Sequence, residues 1–314
     1  MNESAFNHAP VLHCEVIEQM NIRADGLYVD GTYGRGGHAQ SILDRLGENG
    51  RLIVMDKDPE AVESARSKMG SDMRVTIVHD DYEHLPGLLA EMKLGAQVDG
   101  VLLDLGVSSP QLDDASRGFS FQKSGPLDMR MNPQEGESAA EWLQHADADN
   151  IAKVLWELGE ERFSRRIARK IVETRDHQPI EDTAALSALI ASCIPQREQK
   201  KHPATRSFQA IRIYINRELE HLTAILDAIF DVLRIGGRLL VISFHSLEDR
   251  IVKRFFKAQS SKPRVPKGLP LTESQLMANI RLKIIGKAFK AGPQELAKNP
   301  RARSAVLRVA ERVV

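Results

Sequence analysis

The chain has 314 residues, of which 42% are hydrophobic and 27% charged, as in soluble globular proteins and unlike disordered or fibrous ones. Its 43 Lys and Arg residues balance 43 Asp and Glu residues, which excludes a globally basic protein that coats nucleic acid. The two cysteines, Cys14 and Cys193, match no metal-binding or redox spacing, so we expect reduced thiols and no metal site.

The zero net charge is the sum of two halves of opposite sign. Residues 1–160 contain 13 basic and 28 acidic residues, whereas residues 161–314 contain 30 basic and 15 acidic residues. A basic second half favours a polyanionic partner, although solvated basic helix faces explain the same count. No apolar run approaches the roughly 20 residues that span a bilayer, and the first ten residues lack a signal-peptide pattern. The sequence therefore predicts a cytoplasmic protein without membrane contact.

Short apolar runs alternate with amphipathic stretches in the first hundred residues. Four of these runs have strand character: Leu27–Asp30, Arg51–Asp56, Val75–Val78 and Val98–Asp104. This alternation predicts an α/β fold with a mostly parallel, doubly wound sheet. Ligands of such sheets bind beyond the carboxyl ends of the strands, so we expect the functional residues directly after them.

Helical patterns replace this alternation from about residue 117. Ser138–Arg175 is a long helical region, and Asp182 is the predicted N-cap of the next helix. A further helix is predicted over residues 207–233, with its end at Gly236 and Gly237.

Strand character then returns. Arg238–Ser243 predicts a fifth strand, and the capping-box pattern Ser246–Asp249 predicts the start of another helix. Residues 280–285 and 304–309 are candidates for the last strands. The sequence therefore predicts a sheet domain, residues 1–114 and 215–314, interrupted by an inserted helical domain, residues 115–214.

A glycine-rich connection follows the first strand. Gly34, Gly36 and Ala39 satisfy the pattern G-x-G-x-x-A, and Asp56 stands at the end of the second strand, where a carboxylate can accept both ribose hydroxyls. This predicts a nucleoside cofactor but leaves NAD and S-adenosylmethionine open, and a glycine-rich turn alone is often only a turn. The carboxylates of Asp30 and Asp104 at the same crevice disfavour a pyrophosphate and suit a sulfonium with an ammonium group.

Seven segments, in this order, closely resemble the RsmH (MraW) family: Asp30–His38, Leu102–Asp113, Arg117–Phe121, Gly125–Met131, His202–Arg206, Ile242–Arg250 and Asn299–Ser304. That family methylates N4 of a cytosine in the decoding region of bacterial 16S rRNA. The resemblance runs almost end to end. It implies a class I S-adenosylmethionine-dependent methyltransferase domain, Rossmann-like, with an inserted all-helical domain that recognises the substrate.

The resemblance also implies cofactor contacts at seven positions: Gly36, Gly37, His38, Asp56, Tyr82, Asp104 and Gln111. Tyr82 is expected to lay its ring against adenine. Asp104 is expected to accept hydrogen bonds from the methionine ammonium or the ligand edge, and His38 to use its backbone amide.

Ser108, Ser109 and Pro110 are the predicted catalytic residues, because amino-methyltransferases carry Asp, Asn or Ser before Pro-Pro and an aromatic residue at this place. The match is partial, since Gln111 replaces the second proline, and the alternative is that the segment only shapes a turn. Because no aromatic residue follows at once, Phe119 or Phe121 is expected to provide any stacking on the target base. Neither cysteine lies near this turn, which disfavours cytosine C5 methylation through a thiolate.

The expected substrate is 16S rRNA within the small ribosomal subunit, with the cytosine unpaired or extruded. His245 and Asp249 are candidates for approaching the base, although Asp249 equally caps its helix. Candidate phosphate contacts are the basic residues Arg162, Arg165, Arg166, Arg169, Lys170, Lys200, Lys201, Arg206, Arg301 and Arg303. The alternatives are an NAD(P)-dependent oxidoreductase and a non-catalytic RNA-binding assembly factor, and the oligomeric state stays open.

Overall fold

The structure is a computed structural model that describes residues 10–195, 202–262 and 280–314. The chain divides into two compact units, of which the first comprises Met1–Gly106 with Glu220–Val314 and the second Val107–Leu219. The domain edges predicted at residues 115 and 214 both lie inside the second unit. No helix in the described part of the chain is long and apolar enough to cross a membrane.

The first stretch of the chain alternates helices and strands: α1 (His13–Met20), β1 (Leu27–Asp30), α2 (Gly37–Leu43), β2 (Arg51–Asp56), α3 (Pro59–Met69), β3 (Val75–His79), α4 (Leu85–Glu91) and β4 (Val98–Asp104). A 3-10 turn, Tyr82–His84, joins β3 to α4. Helix α3 begins where it does because the Asp58 side chain accepts the amide of Glu60 and a proline occupies the first turn. The four predicted strands are confirmed.

The second unit is helical: α5 (Ser109–Asp113), α6 (Ala139–His145), α7 (Ala148–Gly159), α8 (Ser164–Arg175), α9 (Thr183–Cys193) and α10 (Thr205–Ile215). The predicted helical region Ser138–Arg175 contains three helices, α6 to α8, and the left-handed backbone of Glu160 (φ 49°) ends α7. Helix α9 begins at its predicted N-cap, since the Asp182 side chain accepts the Ala185 amide at 2.8 Å.

The helix predicted over residues 207–233 is two helices, because α10 ends at Ile215 and α11 (Glu218–Val232) starts after a two-residue break. At the break, the Asn216 side chain accepts the Met131 amide and donates to the Met129 carbonyl, both at 2.7 Å. The next residue, Arg217, has a left-handed backbone (φ 51°). These side-chain hydrogen bonds and this dihedral angle interrupt the helix. The spacing of apolar residues alone does not reveal the interruption.

The core of the second unit is formed by the helices around Trp142, which is 1% exposed. Apolar residues recur along each helix at helical spacing and pack into one cluster, so each helix is stabilised mainly by burial of one face. The cluster includes Trp142, Leu143, Ile151, Leu155, Ile167, Ile171, Leu186, Ile190, Phe208 and Ile211.

The returning chain forms β5 (Leu233–Ser243), α12 (Ser246–Ser260), β6 (Leu282–Phe289), α13 (Pro293–Lys298) and β7 (Val306–Arg312). The predicted helix end at Gly236 and Gly237 is wrong, because α11 ends at Val232 and both glycines lie in β5. Gly236 has a φ of +80°, and the pairing of β5 with β4 shifts register between Val98 and Gly100. The glycines therefore serve a bulge in the strand and not a helix cap.

The seven strands of the first unit form one sheet in the order β3-β2-β1-β4-β5-β7-β6. Strands β1 to β5 pair in parallel, whereas β7 is antiparallel to β5 and β6. Two apolar clusters, one containing Val101 and Leu226 and the other Leu102 and Ile42, cover the sheet. The alternating burial of β4 places Val101 and Leu102 in different clusters. The parallel arrangement brings the carboxyl ends of β1, β2, β4 and β5 to one edge, as the sequence predicts.

Candidate functional site

The connection between β1 and α2 has no room for side chains at two glycines. Gly36, which precedes α2, has a φ of +80°, and a Cβ there would lie 2.5 Å from the Tyr33 hydroxyl oxygen. A Cβ on Gly31 would lie 2.7 Å from the Leu103 side chain. Other residue types rarely adopt this φ, so the loop requires glycine at Gly36 on conformational as well as steric grounds. Gly37, the first residue of α2, is exposed, so a ligand can approach the start of this helix.

A short chain of hydrogen bonds joins the end of β1 to the end of β4. Asp30 is 1% exposed, and its carboxylate accepts the Thr32 amide at 3.1 Å. The Thr32 hydroxyl accepts the Asp104 amide at 2.6 Å. Burial raises the pKa of Asp30 to about 7, with a smaller contribution from the charge of Asp56. Thr32 therefore holds two acidic residues close to one another.

Asp104 is the most perturbed carboxyl group of this edge. Burial raises its pKa to about 8, and the charges of Asp30 and Glu248 add to the shift. Its Oδ1 is buried and has no hydrogen-bond partner in the described part of the chain. The Nε2 of His38 lies 3.8 Å from Asp104 Oδ2, but burial lowers the pKa of His38 to about 3, so this ring is uncharged near neutral pH. The pocket thus favours a ligand that brings positive charge or hydrogen-bond donors.

Asp56, the predicted ribose acceptor, also braces the glycine loop. Its Oδ2 accepts the Gly34 amide at 2.8 Å and its Oδ1 accepts the Asp58 amide at 2.9 Å. Burial raises the pKa of Asp56 to about 6, although both amides oppose the shift. Each carboxylate oxygen has a second lone pair, so these bonds leave acceptor capacity for two hydroxyls.

Tyr82 lies in the 3-10 turn after β3, next to the end of β1, because a Cβ on Gly31 would lie 3.2 Å from the Tyr82 Cβ. Its ring is partly buried against the core under the sheet. The preceding residue, Asp81, is 8% exposed and forms ion pairs with Lys57 at 3.0 Å and His221 at 2.8 Å. Tyr82 therefore belongs to a turn that side-chain charges hold in place.

The segment Ser108–Gln111 opens α5 in the second unit. The Gln111 Oε1 accepts the Ser108 amide at 2.8 Å, and the Gln111 side chain is buried, 5% exposed. Ser109 and Pro110 form the first turn of α5 and are partly exposed. The glutamine that replaces the expected proline therefore stabilises the turn, and the cofactor role of Gln111 and the catalytic roles of the serines stay predictions.

The end of β5 differs from the sequence prediction. Helix α12 starts after His245 and not after Ser246, and the Oε2 of Glu248 accepts the amides of Phe244 at 2.8 Å and His245 at 3.3 Å. Asp249 neither caps this helix nor is free for a base, because it forms two bonds with Arg308, at 2.6 and 3.1 Å.

The two candidate stacking residues have different environments in the second unit. Phe119 is 6% exposed and belongs to the apolar core, so it offers no free face. Phe121 stacks on His202 with ring centroids 4.2 Å apart and meets Phe208 edge-on at 5.1 Å. Of the two, Phe121 is the one that remains a candidate.

A sequence profile of the MraW methylase family matches residues 5–313, nearly the whole chain. The chain belongs to the MraW methylase family. Its sheet is the Rossmann-like sheet of class I methyltransferases, and S-adenosylmethionine is its methyl donor. This family membership excludes the oxidoreductase alternative.

Similarity to solved structures is distant. A putative rRNA-methylase from Clostridium thermocellum is 12% identical, with 96% of this chain and 95% of that chain covered and a TM-score of 0.43. A putative methyltransferase from Streptococcus mutans in complex with SAH is also 12% identical, with 96% and 95% covered and a TM-score of 0.38. Values this low support no residue-by-residue comparison.

The first unit fits the methyl donor of this family on chemical grounds. The Asp104 Oδ1 lacks a donor in the described residues, and the ligand carries an ammonium group and a sulfonium. The glycine loop up to Gly37 leaves backbone accessible, Asp56 retains acceptor capacity, and Tyr82 presents an aromatic ring beside them. These residues, with the His38 amide, are the ones that would hold the cofactor.

The candidate RNA-binding residues are not distributed as the charge count of the two halves predicts. Residues 107–219 contain 16 basic and 17 acidic residues, so the second unit is close to neutral, whereas residues 220–314 contain 18 basic and 8 acidic residues. Within the second unit, positive charge is concentrated on and just before α8, where five side chains are exposed: Arg162, Arg165, Arg166, Arg169 and Lys170. Arg206, Arg301 and Arg303 are also exposed, and Lys200 and Lys201 lie outside the described residues.

Three residues of the site are absent from the sequence prediction: Thr32, Glu248 and His221. Thr32 and Glu248 lie inside motifs quoted for the family, but only the fold shows that one bonds Asp104 and the other faces it. His221 has no sequence signal, since its partner Asp81 is 140 residues away.

Proposed function

We propose that this methyltransferase methylates the exocyclic N4 of a specific cytosine in the decoding region of bacterial 16S rRNA. The choice of substrate rests on the resemblance of seven segments to the RsmH (MraW) family, to which the chain belongs, and the buried carboxylates of Asp30 and Asp104 beside the glycine loop support the methyl donor. Such a pair matches a cationic methyl donor and has no use in binding a pyrophosphate.

S-adenosylmethionine supplies an electrophilic methyl group on its sulfonium. The residues of this chain must hold the cytosine amine in line with that group and accept hydrogen bonds from its protons as positive charge develops. The hydroxyls of Ser108 and Ser109 and the carbonyl groups of their turn are the acceptors that we assign to this task. Gln111 makes the turn rigid through its bond to the Ser108 amide.

The cysteines support N4 over C5 as the methylated atom. C5 methylation uses a thiolate that adds to the base, and the base must reach it. Cys193 is 3% exposed and lies inside the core of the second unit, and Cys14 lies on the exposed face of α1. Transfer to an exocyclic amine needs no covalent intermediate, so neither cysteine has to reach the base.

The second unit supports binding of a folded RNA by the basic face of α8. Ile167, Ala168 and Ile171 bury the opposite face, which leaves the arginines and the lysine of this helix in solvent. Phosphate contacts of this kind position an RNA without reading its sequence, as an enzyme that extrudes one base requires. A substrate within the small ribosomal subunit also implies a cytoplasmic location.

The decisive experiment transfers labelled methyl from S-adenosylmethionine to small-subunit particles, followed by nucleoside analysis of the 16S rRNA. We expect N4-methylcytidine at one position, and no label with Asp104→Asn. C5-methylcytidine would refute the assignment of the atom, and absence of transfer from the wild-type protein, with S-adenosylhomocysteine still bound, would favour the non-catalytic assembly factor.

Replacing Ser108 and Ser109 by Ala tests the assigned acceptors separately from cofactor binding. We expect turnover at saturating cofactor to fall by about 10–100-fold while the affinity for S-adenosylhomocysteine is unchanged, because hydrogen bonds formed only as charge develops affect kcat. An unchanged turnover would leave the segment with a purely structural role.

A further inference from the structure

The 3-10 turn that carries Tyr82 has little backbone support of its own. The His84 amide donates to the Asp81 carbonyl at 3.0 Å, and the Leu85 amide donates to the Tyr82 carbonyl. A single 3-10 turn with two such bonds is marginal, because 3-10 geometry is poor and nucleation is costly. Side chains add to this support, because the Asp81 carboxylate accepts the Glu83 amide at 3.1 Å and Asp80 Oδ1 lies 2.7 Å from His84 Nδ1.

Both residues that flank Tyr82 are carboxylates, and one histidine contacts both. His221, on α11, is 8% exposed. Its Nδ1 lies 2.8 Å from Asp81 Oδ2, and its Nε2 lies 3.1 Å from Glu83 Oε1. The imidazole thus forms a hydrogen bond with the residue before Tyr82 and an electrostatic contact, without a hydrogen bond, with the residue after it.

The same cluster is connected to the loop that follows β2. Lys57, the residue directly after Asp56, lies 3.0 Å from the oxygen of Asp81 that His221 also contacts. The charges of Lys57 and His221 and the hydrogen bond from His221 together lower the pKa of Asp81, although burial alone would raise it. The ribose acid and the aromatic residue are therefore attached to one buried charge cluster.

Loss of the imidazole would leave this cluster with an excess of negative charge. Asp81 would keep Lys57, whereas Glu83 would lose its 3.1 Å contact with His221 and keep the longer one with His84, at 3.7 Å. Removal of one partner from a mostly buried ion pair is costly because the remaining charge stays buried without compensation, and movement of that charge toward water relieves the cost. The turn is the shortest and least supported element nearby, so it is the element expected to move.

We propose that His221 is a positioning residue for the cofactor, which holds Tyr82 in the orientation that receives the adenine ring. The inference rests on the proposed adenine contact of Tyr82. His221 acts through the turn and does not touch the ligand. It follows that His221 affects cofactor affinity and not the methyl transfer step.

A double-mutant cycle on binding tests this inference. The dissociation constant of S-adenosylhomocysteine is measured by calorimetry for the wild type, His221→Leu, Tyr82→Leu and the double variant. We expect each single variant to bind about tenfold more weakly, and the double variant to bind no more weakly than Tyr82→Leu, because both changes remove the same contact. At saturating S-adenosylmethionine, the turnover of His221→Leu stays within about twofold of the wild type.

A matched control separates positioning from general destabilisation. Val309, on β7, is buried in the other apolar cluster and not in the one against which Tyr82 packs, so Val309→Ala lowers the unfolding temperature without touching the support of the turn. We expect its affinity for S-adenosylhomocysteine to match the wild type. His221→Asn keeps a donor toward Asp81 and loses the contact with Glu83, so it is expected to fold and to bind with intermediate affinity.

Three results would overturn the inference. These are wild-type affinity in both His221 variants, additive losses in the cycle, and equal weakening by Val309→Ala. If Tyr82→Leu itself binds normally, the adenine contact is wrong and the inference falls with it. The proposed RNA substrate is tested separately, by nucleoside analysis. If that test refutes the substrate, the conclusions from the double-mutant cycle on cofactor binding still stand.

Discussion

Ionisation of Asp104 should be coupled to cofactor binding. Its pKa is raised to about 8, chiefly by burial, whereas a free aspartate titrates near about 4. At pH 7 the free protein therefore carries about 0.9 proton on this carboxyl group. A bound ammonium or sulfonium beside the carboxylate favours its ionised form, so binding must release that proton.

The size of the expected change in cofactor affinity follows from the difference between the pH and the pKa of Asp104. Ionising a group one unit below its pKa costs about 1.4 kcal/mol, so the affinity for S-adenosylhomocysteine should rise about tenfold between pH 6 and pH 7. The amine of the ligand remains mostly protonated in this interval, which keeps its own titration out of the measurement. Above pH 8 the gain should end.

Calorimetry in two buffers with different heats of ionisation counts the protons released. We expect about one proton per ligand near pH 6.5 for the wild type. Asp104→Asn imitates the protonated carboxyl group, so this variant should bind S-adenosylhomocysteine weakly and with a flatter pH dependence. We attribute any remaining pH dependence to Asp30, whose pKa is raised to about 7. Equal affinity of the wild type at pH 6 and pH 7, or an unchanged slope in Asp104→Asn, would refute the reasoning.

Three further changes have defined outcomes. Gly36→Ala should lower the unfolding free energy by at least about 1–2 kcal/mol and weaken cofactor binding. In α4, a Cβ on Gly87 would meet nothing within 4 Å, so Gly87→Ala should stabilise the protein by about 0.5–1 kcal/mol. Thermal melts of the two variants measure both effects. Asp249→Asn should lower the free energy of unfolding by no more than about 1 kcal/mol in a denaturant titration, because the ion pair of Asp249 with Arg308 on β7 is partly exposed. Turnover should be unchanged. A large loss of turnover would restore Asp249 as a residue that approaches the base. Arg169→Glu should reduce the slope of log binding constant against log salt concentration for rRNA by about 0.7–0.9 per lost phosphate contact, whereas Lys283→Glu on β6 should leave this slope unchanged. Equal slopes for the two variants would argue against the α8 surface.

The strands and the glycine loop were predictable because their signals are local. Four apolar runs of strand length, each followed by polar residues, predicted β1 to β4 and the edge at which Asp30, Asp56 and Asp104 meet. The resemblance to a family added the fold, the cofactor and the candidate contacts. Local composition carries this information because a buried parallel strand needs a continuous apolar run.

The details that failed depend on partners far away in sequence. The break between α10 and α11 arises because Asn216 bonds to backbone groups at Met129 and Met131, and apolar spacing continues across it. The environments of the two adjacent acids of α12 were not predictable for a similar reason. Glu248 faces inward and Asp249 pairs with Arg308, which only the packing of α12 on the sheet decides.

The position of β7 has a consequence for how the sheet is completed. β7 follows β6 in the chain yet lies between β5 and β6, and it supplies the strand pairing that β6 has among the described residues. While the protein is being synthesised, β5 has an open edge and β6 has no neighbour until Val306–Arg312 emerges. Unpaired strand edges promote association between chains. Shortening the chain by its last dozen residues would therefore remove an interior strand of the sheet, which would leave the edge of β5 open and β6 without a strand partner.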